Sequence, residues 1–273
     1  HCQGGDGEQL TDARQAQHFE MVFTAVRAAG WTVRQPAGVS RGSDAAAHTD
    51  EVQLDHVTFG TILGDDRKPL KTRSGENVKL ADLLDEAVRR AEALVRATEA
   101  DPDKRRGFSE DEIKDVAEAV GIGAVKYADL SQNRQSDYIF SWDRMLAMDG
   151  NTAPYLMYAY ARIRSIYRKG AENGGTETTA GQAADISLDA PAERALGRQI
   201  LRFAGVASGL RINLLTDYLY ELAGLFMKFY EQCPVLRAET PALKASRLRL
   251  CDLTARTIRT GLNLLGIRTL ERM

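Results

Sequence analysis

Cysteine is scarce in this chain, and the three present are poorly placed for chemistry. Cys2, Cys233 and Cys251 lie far apart with no metal-type spacing, which points to a reduced compartment and no structural zinc. Histidine is equally sparse: His1, His18, His48 and His56 all fall within the first 56 residues. No apolar run approaches the length of a membrane span, and the start lacks the basic-then-apolar layout of a signal peptide. A cytoplasmic protein with no membrane partner is therefore expected. The formal net charge is only −2, so a nucleic-acid site would have to be a local patch.

What is present suits a globular protein. The 273 residues are 44% hydrophobic and 27% charged, enough for one large or two ordinary domains with real cores. The chain opens on His1 rather than Met, which suggests that its true beginning is missing. The most distinctive stretch is 151–169, NTAPYLMYAYARIRSIYRK. It interleaves Tyr155, Tyr158, Tyr160 and Tyr167 with Arg162, Arg164, Arg168 and Lys169, and it contains no acid. Pro154 suits the first turn of a helix. Tyr155, Ala159, Arg162 and Ile166 then fall on one face. Such a helix suits RNA, because unstacked bases stack on tyrosine or arginine and phosphates need positive charge. On composition alone, a core helix with a solvated basic rim is the stronger reading. The last segment, 237–273, carries eight Lys/Arg against three Asp/Glu, a basic patch that the overall charge conceals.

Taken in order, residues 1–11 are Gly-rich and polar and read as a ragged end. Phe19, Val22, Phe23 and Val26 follow at helical spacing, with Asp12 as a candidate cap and Gly30 as a stop. Gln15 and His18 share a face near that helix's N-terminus, where a polar or anionic ligand could sit. Residues 34–55 read as an exposed loop. HVTFGTIL at 56–63 reads as a strand, and 64–69 as a turn. The basic loop 70–75, LKTRSG, can wrap a polyphosphate. Leu80, Leu83, Leu84, Ala87, Val88, Ala91, Leu94 and Val95 form an apolar stripe on a long helix. Ser109 and Glu112 form a capping box for the next helix, with Gly121 at its end. Residues 170–187 read as a second loop, and three helices are expected over 192–209, 213–233 and 242–265.

Several stretches together resemble the arginyl-tRNA synthetases of the bacterial type. They are DARQ at 12–15 with His18, HVTFG at 56–60, KPLKTRSGE at 68–76, VKLADLLDEA at 78–87 and GIGAVKYADLSQNR at 121–134. DYIFSWDRML at 137–146, the 151–169 stretch, LYELAGLFMKFYEQCPVL at 219–236 and the terminal LGIRTLERM complete the series. The resemblance implies a mainly α chain: an all-helical anticodon-binding bundle of the DALR type over 149–273, preceded over 1–148 by the later part of a class I, Rossmann-like α/β catalytic domain. It implies an arginine–tRNA ligase, acting as a monomer on L-arginine, Mg·ATP and tRNA(Arg), with ATP and Mg2+ as cofactors. Gln15 would then contact arginine and His18 would lie near ATP. Val57, Phe59 and Gly60 would sit against adenine. Lys68, Lys71, Thr72, Arg73 and Ser74 occupy the place of the KMSKS signature, read here as KPLKTRS. Tyr155 and Ala159 would meet anticodon bases, Met273 would close that pocket, and Arg162, Arg164 and Arg168 would contact phosphates.

The HIGH signature of the class appears nowhere. A truncated chain that exposes apolar surface and does not form arginyl-adenylate by itself is therefore expected. The alternatives are a free-standing, non-catalytic tRNA-binding module and a plain helical scaffold. The module has no use for KPLKTRS or Gln15/His18, and the scaffold has none for the Tyr/Arg helix.

Overall fold

The computed structural model describes residues 7–12, 15–32, 52–64, 66–69, 79–172, 185–209 and 211–273. The chain forms two compact units, one of residues 1–70 with 134–140 and the other of residues 71–133 with 141–273.

In the first unit, β1 (Gly7–Asp12), α1 (Ala16–Ala28) and β2 (Leu54–Phe59) form a β-α-β arrangement. The strands are parallel, in a register that sets Gly7 opposite Leu54 and Asp12 opposite Phe59. Parallel strands need a crossover of this kind. Two local expectations are corrected here. Residues 7–12 form a strand rather than a ragged end, and Asp12 is its last residue rather than a helix cap. Gln15 occupies the N-cap of α1 and makes no side-chain cap bond. Gly30 does end the helical stretch, with φ of +68°, a conformation that suits glycine. Beyond β2, β3 (Ile62–Leu63) pairs in parallel with β4 (Tyr138–Ile139). Gly60 donates its N–H to the Arg134 carbonyl at 2.8 Å, and the Thr61 N–H reaches the Asp137 carboxylate at 2.6 Å. A Cβ on Gly60 would collide with the Ser136 carbonyl, so this approach requires glycine. Met21, Trp31, Phe59 and Ile62 are large apolar side chains left exposed in this unit.

The second unit is helical. α2 (Leu80–Ala100) packs on α3 (Glu110–Leu130). The Ser109 capping box forms as expected: the Glu112 N–H donates to the Ser109 hydroxyl at 3.3 Å, and the Ser109 N–H donates to the Glu112 carboxylate at 2.8 Å. Gly121, expected to end α3, lies instead in its middle, against the α2 backbone at Ala87 and Val88. The α2 stripe is only partly covered: Ala87 and Ala91 are fully buried, whereas Leu80 and Leu94 are exposed.

After α4 (Trp142–Met145) come α5 (Ala153–Glu172), α6 (Pro191–Leu201), α7 (Phe203–Ser208), α8 (Ile212–Gln232) and α9 (Pro241–Leu264). The single helix expected over 192–209 is two, divided at Arg202. Leu156, Met157 and Ile163 of α5 join Leu219, Leu222, Phe226 and Phe229 of α8 and Leu250, Ile258 and Leu262 of α9 in a fully buried core. Residues 265–273 then strap back across the unit. Lys126 holds the Gly266 carbonyl at 2.7 Å, and Arg268 holds the Asp115 carboxylate at 2.7 Å. Arg272 bonds Glu112 at 3.2 Å and the Arg106 carbonyl at 2.6 Å. Of the loops expected over 34–55 and 170–187, residues 34–51 and 173–184 lie outside the described residues.

Candidate functional site

In the first unit, Gln15 and His18 are both exposed in the first turn of α1. The His18 ring meets the Phe19 ring edge-on, with centroids 5.5 Å apart, and Phe19 lies 4.9 Å from the His56 ring of β2. Val57 and Gly60 are half-buried and Phe59 is 40% exposed. The strand and the helix start thus present the residues expected for substrate contact, with Phe59 the more accessible apolar surface. Lys68 is exposed in a tight turn. Its carbonyl accepts from Gly64 at 2.8 Å, and its N–H donates to the Asp66 carboxylate at 3.1 Å. Arg67 takes a left-handed φ of 59° to make that turn. Lys71, Thr72, Arg73 and Ser74 lie outside the described residues.

In the second unit, α5 is a core helix, the reading its composition alone favours. Leu156, Met157, Ala159, Ile163 and Ile166 are buried, and so is Tyr160. The helix places its tyrosines and cations on two different sides. Tyr155, Tyr158 and Arg162 recur at i, i+3 and i+7 along one half-exposed stripe facing α8. There the Tyr155 and Tyr220 rings meet edge-on at 5.6 Å. Arg162 lies 4.7 Å over the Tyr230 ring and donates to the Tyr158 hydroxyl at 3.0 Å. Asn151 closes one end of the stripe by donating to the Asp217 carboxylate at 3.0 Å and accepting from the buried Tyr127 hydroxyl at 2.6 Å. Burial pushes the phenols of Tyr155 and Tyr127 up, and a carboxylate, Asp217, adds to the rise at Tyr127. Both therefore stay protonated.

On the other side, Tyr160, Arg164 and Arg168 converge on Glu271. The Tyr160 hydroxyl and Arg164 Nε bond its carboxylate at 2.8 and 2.6 Å, and Arg168 bonds its backbone carbonyl at 2.8 Å. The expectation of three equivalent phosphate-seeking arginines therefore divides. Arg162 faces the aromatic stripe, whereas Arg164 and Arg168 hold the C-terminal strap. Ala159 is fully buried. Met273 accepts from Arg106 at 3.1 Å and lines a cavity of about 890 Å³ with Leu94, Phe108, Val120, Trp142 and Met148. The basic terminal segment is also largely neutralised: Arg247, Arg249, Arg256, Arg268 and Arg272 are all in ion pairs.

Sequence reasoning did not single out Tyr220, Gly224 and Tyr230. Tyr220 and Gly224 stand one turn apart on α8, and a Cβ built on Gly224 would find nothing within 4 Å. A glycine inside a helix, where it weakens the helix relative to alanine, was the available signal.

Comparison with known proteins divides the chain elsewhere than between its two compact units. Residues 9–142 match the catalytic domain of the class I tRNA synthetases (R), and residues 156–273 match the DALR anticodon binding domain. A curated arginine–tRNA ligase of Edwardsiella ictaluri is 47% identical over 266 residues, and one of Laribacter hongkongensis is 48% identical over 268. These alignments cover 96% and 97% of the chain but 41% and 42% of the relatives. The solved arginyl-tRNA synthetase of Thermus thermophilus superposes with a TM-score of 0.73 at 28% identity, across 98% of this chain and 41% of that one. The Plasmodium falciparum enzyme gives 0.71 at 30% identity, across 97% and 41%. The chain thus spans about two fifths of the length of the relatives it matches.

Proposed function

We propose a function for this chain on the footing that it belongs to the arginyl-tRNA synthetase family: it supplies anticodon recognition and part of the arginine-activating site to an arginine–tRNA ligase of the cytoplasm. The observation that carries this reading is the half-exposed Tyr155–Tyr220 pair with Arg162 beside it, inside the region that matches an anticodon-binding domain. Aromatic faces and a guanidinium plane are what an unpaired anticodon base stacks upon. Ala159 is enclosed in the core, so Tyr155 is the side chain that a base reaches.

The reaction joins arginine to ATP as an adenylate, releases pyrophosphate and passes arginine to the terminal adenosine of tRNA(Arg). In this reading Gln15 holds the arginine substrate, His18 lies beside the nucleotide, and Val57, Phe59 and Gly60 form the adenine wall. Lys68, with Lys71, Thr72, Arg73 and Ser74, steadies charge on the departing pyrophosphate. Among the described residues no group of three or more His, Cys, Asp or Glu side chains is placed to hold a metal ion. The ion is expected to arrive with the nucleotide as Mg·ATP, held chiefly by phosphates and water. The catalytic-domain match over 9–142 favours the ligase reading over a free-standing, non-catalytic tRNA-binding module.

The test is binding of the chain to tRNA(Arg) and to an anticodon-substituted copy at two salt concentrations. Binding that falls about tenfold with the altered anticodon, and again with Tyr155→Leu, supports the reading, since one stacked base contributes roughly 1–3 kcal/mol. Equal binding of both RNAs at each salt would reduce the surface to a nonspecific electrostatic one and overturn it.

A further inference from the structure

The cavity that Met273 lines in the second unit has no part in the proposed reaction, and its lining is sorted by polarity. It measures about 890 Å³, within the ~300–1,000 Å³ that small-molecule sites occupy. The lining residues that are buried, Ala91, Val116, Val120 and Leu146, are all apolar. Above them stand the half-buried rings of Phe108 and Trp142 and the thioethers of Met148 and Met273. Leu94 and Met148 are 51% and 48% exposed, so this apolar surface is open to a guest rather than closed by the fold.

The charges belong to the rim. Arg89, Arg90 and Lys104 are matched by Glu99, Asp101 and Asp143, three cations against three acids, and none of the six is buried. Most are already engaged. Arg89 and Arg90 bond Glu86 at 2.7 and 2.6 Å, and Lys104 pairs with Asp101 at 2.9 Å. Glu99 accepts the N–H groups of Arg106, Gly107 and Phe108 at 2.6, 2.9 and 3.1 Å. A charged ligand would give up its hydration to a rim with no net charge and an apolar floor, whereas an uncharged one has little to lose. Methionine adds a preference within that class, since its flexible thioether follows the outline of a guest and packs well on aromatic rings.

We propose that this cavity is a binding site for an uncharged aromatic molecule of two or three rings, seated on the apolar floor between α2, α3 and α4 and walled by Met148 and Met273. The site is independent of the anticodon-binding reading, which rests on the stripe between α5 and α8.

The experiment titrates the full chain with the uncharged dye N-phenyl-1-naphthylamine, whose fluorescence rises in apolar surroundings. One saturable site is expected, and saturating dye should raise the melting temperature, because a ligand that binds only the folded state stabilises it. Three naphthyl compounds then compete for the site. 1-Naphthylmethanol should displace the dye about tenfold more effectively than 1-naphthoate or 1-naphthylmethylammonium, which differ from it in charge. Two variants place the site. Ala97→Trp, at an exposed lining position, should fill the space and abolish binding. Met148→Gln, also at an exposed position, should weaken it about threefold by making the wall polar. Melting curves without dye show that both are folded. Trp31→Ser, which removes an exposed indole from the first unit, should bind the dye as the unaltered chain does. No saturable binding, or binding untouched by Ala97→Trp and Met148→Gln, overturns the site. Loss of binding in Trp31→Ser would move the dye to the first unit and overturn it equally. Equal displacement by all three naphthyl compounds, or displacement by AMP, would refute the uncharged class.

Discussion

Gly121 lies against Val88, so near that a Cβ on the glycine would come within 2.7 Å of the valine Cα. The obstacle is backbone, which cannot swing aside as a side-chain tip can. Gly121→Ala should therefore force α2 and α3 apart. We expect a loss of about 3 kcal/mol, at the upper end of ordinary overpacking, read as a lower midpoint in urea unfolding. Gly123→Ala makes the contrast. Its Cβ would meet the terminal methyl of Met157 at 2.6 Å, and that flexible end can move, so about 1 kcal/mol is expected. Equal costs at both positions would contradict this account of the helix pair.

Glu193 is fully buried, and both of its carboxylate oxygens have donors. One carboxylate oxygen accepts from Arg247 at 2.7 Å and the other from the Ala190 N–H at 2.8 Å. Arg247 also donates to the Pro234 carbonyl at 2.9 Å. Removing one partner of such a pair strands the other, so Glu193→Ala should cost roughly 3–5 kcal/mol. Glu193→Gln, which keeps the volume and the cap, should cost less. Denaturant midpoints at constant slope measure both, and an alanine variant within 1 kcal/mol of the unaltered chain would refute the prediction.

Acid should loosen the strap. Burial pushes the Glu271 carboxyl up, but the bonds from Arg164 and Tyr160 outweigh it and leave the group below its ordinary value. A depressed carboxylate contributes stability that is fully present above the unfolded value, near pH ~4.3, and is lost as pH falls through the folded one. The melting temperatures of the chain and of Glu271→Gln should thus differ by a constant amount from pH 7 down to about 5 and converge in stronger acid. A gap that widens in acid would reverse the sign.

Burial, reinforced by Asp252, pushes the Cys251 thiol up to about 12, and burial followed by Glu193 raises that of Cys233. Neither supplies thiolate at pH 8. Iodoacetamide labelling mapped by mass spectrometry should find both thiols unmodified in the folded chain and fully modified in denaturant. Rapid labelling of Cys251 under native conditions would show that this part of α9 opens locally.

Much of this architecture was legible where the signal is local. Ser109 and Glu112 sit three residues apart, and their reciprocal bonds form as the spacing implies. HVTFG lies within and just beyond a strand because branched and aromatic side chains suit one. Residues 7–12 concealed their strand because its partner begins only at Leu54, and polar, glycine-bearing composition carries no trace of that pairing. The tyrosine helix was only half legible for a related reason. Its composition favours a core helix with a basic rim, but nothing local marks Tyr160 as the buried tyrosine whose hydroxyl reaches Glu271, 111 positions away. Periodicity assigns residues to faces but cannot say which face has a distant partner.

The C-terminal strap also sets a timetable. Arg268 and Arg272 reach back 153 and 160 positions to Asp115 and Glu112, and Arg106 waits 167 positions for the Met273 carbonyl. At a synthesis rate of ~5–20 residues per second, that interval is roughly 8–30 s. Throughout it, the start of α3 stands on the ribosome without the residues that will clasp it. The bundle can collapse early, but it cannot lock until Arg268 and Arg272 have been translated. A slow codon run placed late in the message would prolong the time for which this unit needs a chaperone.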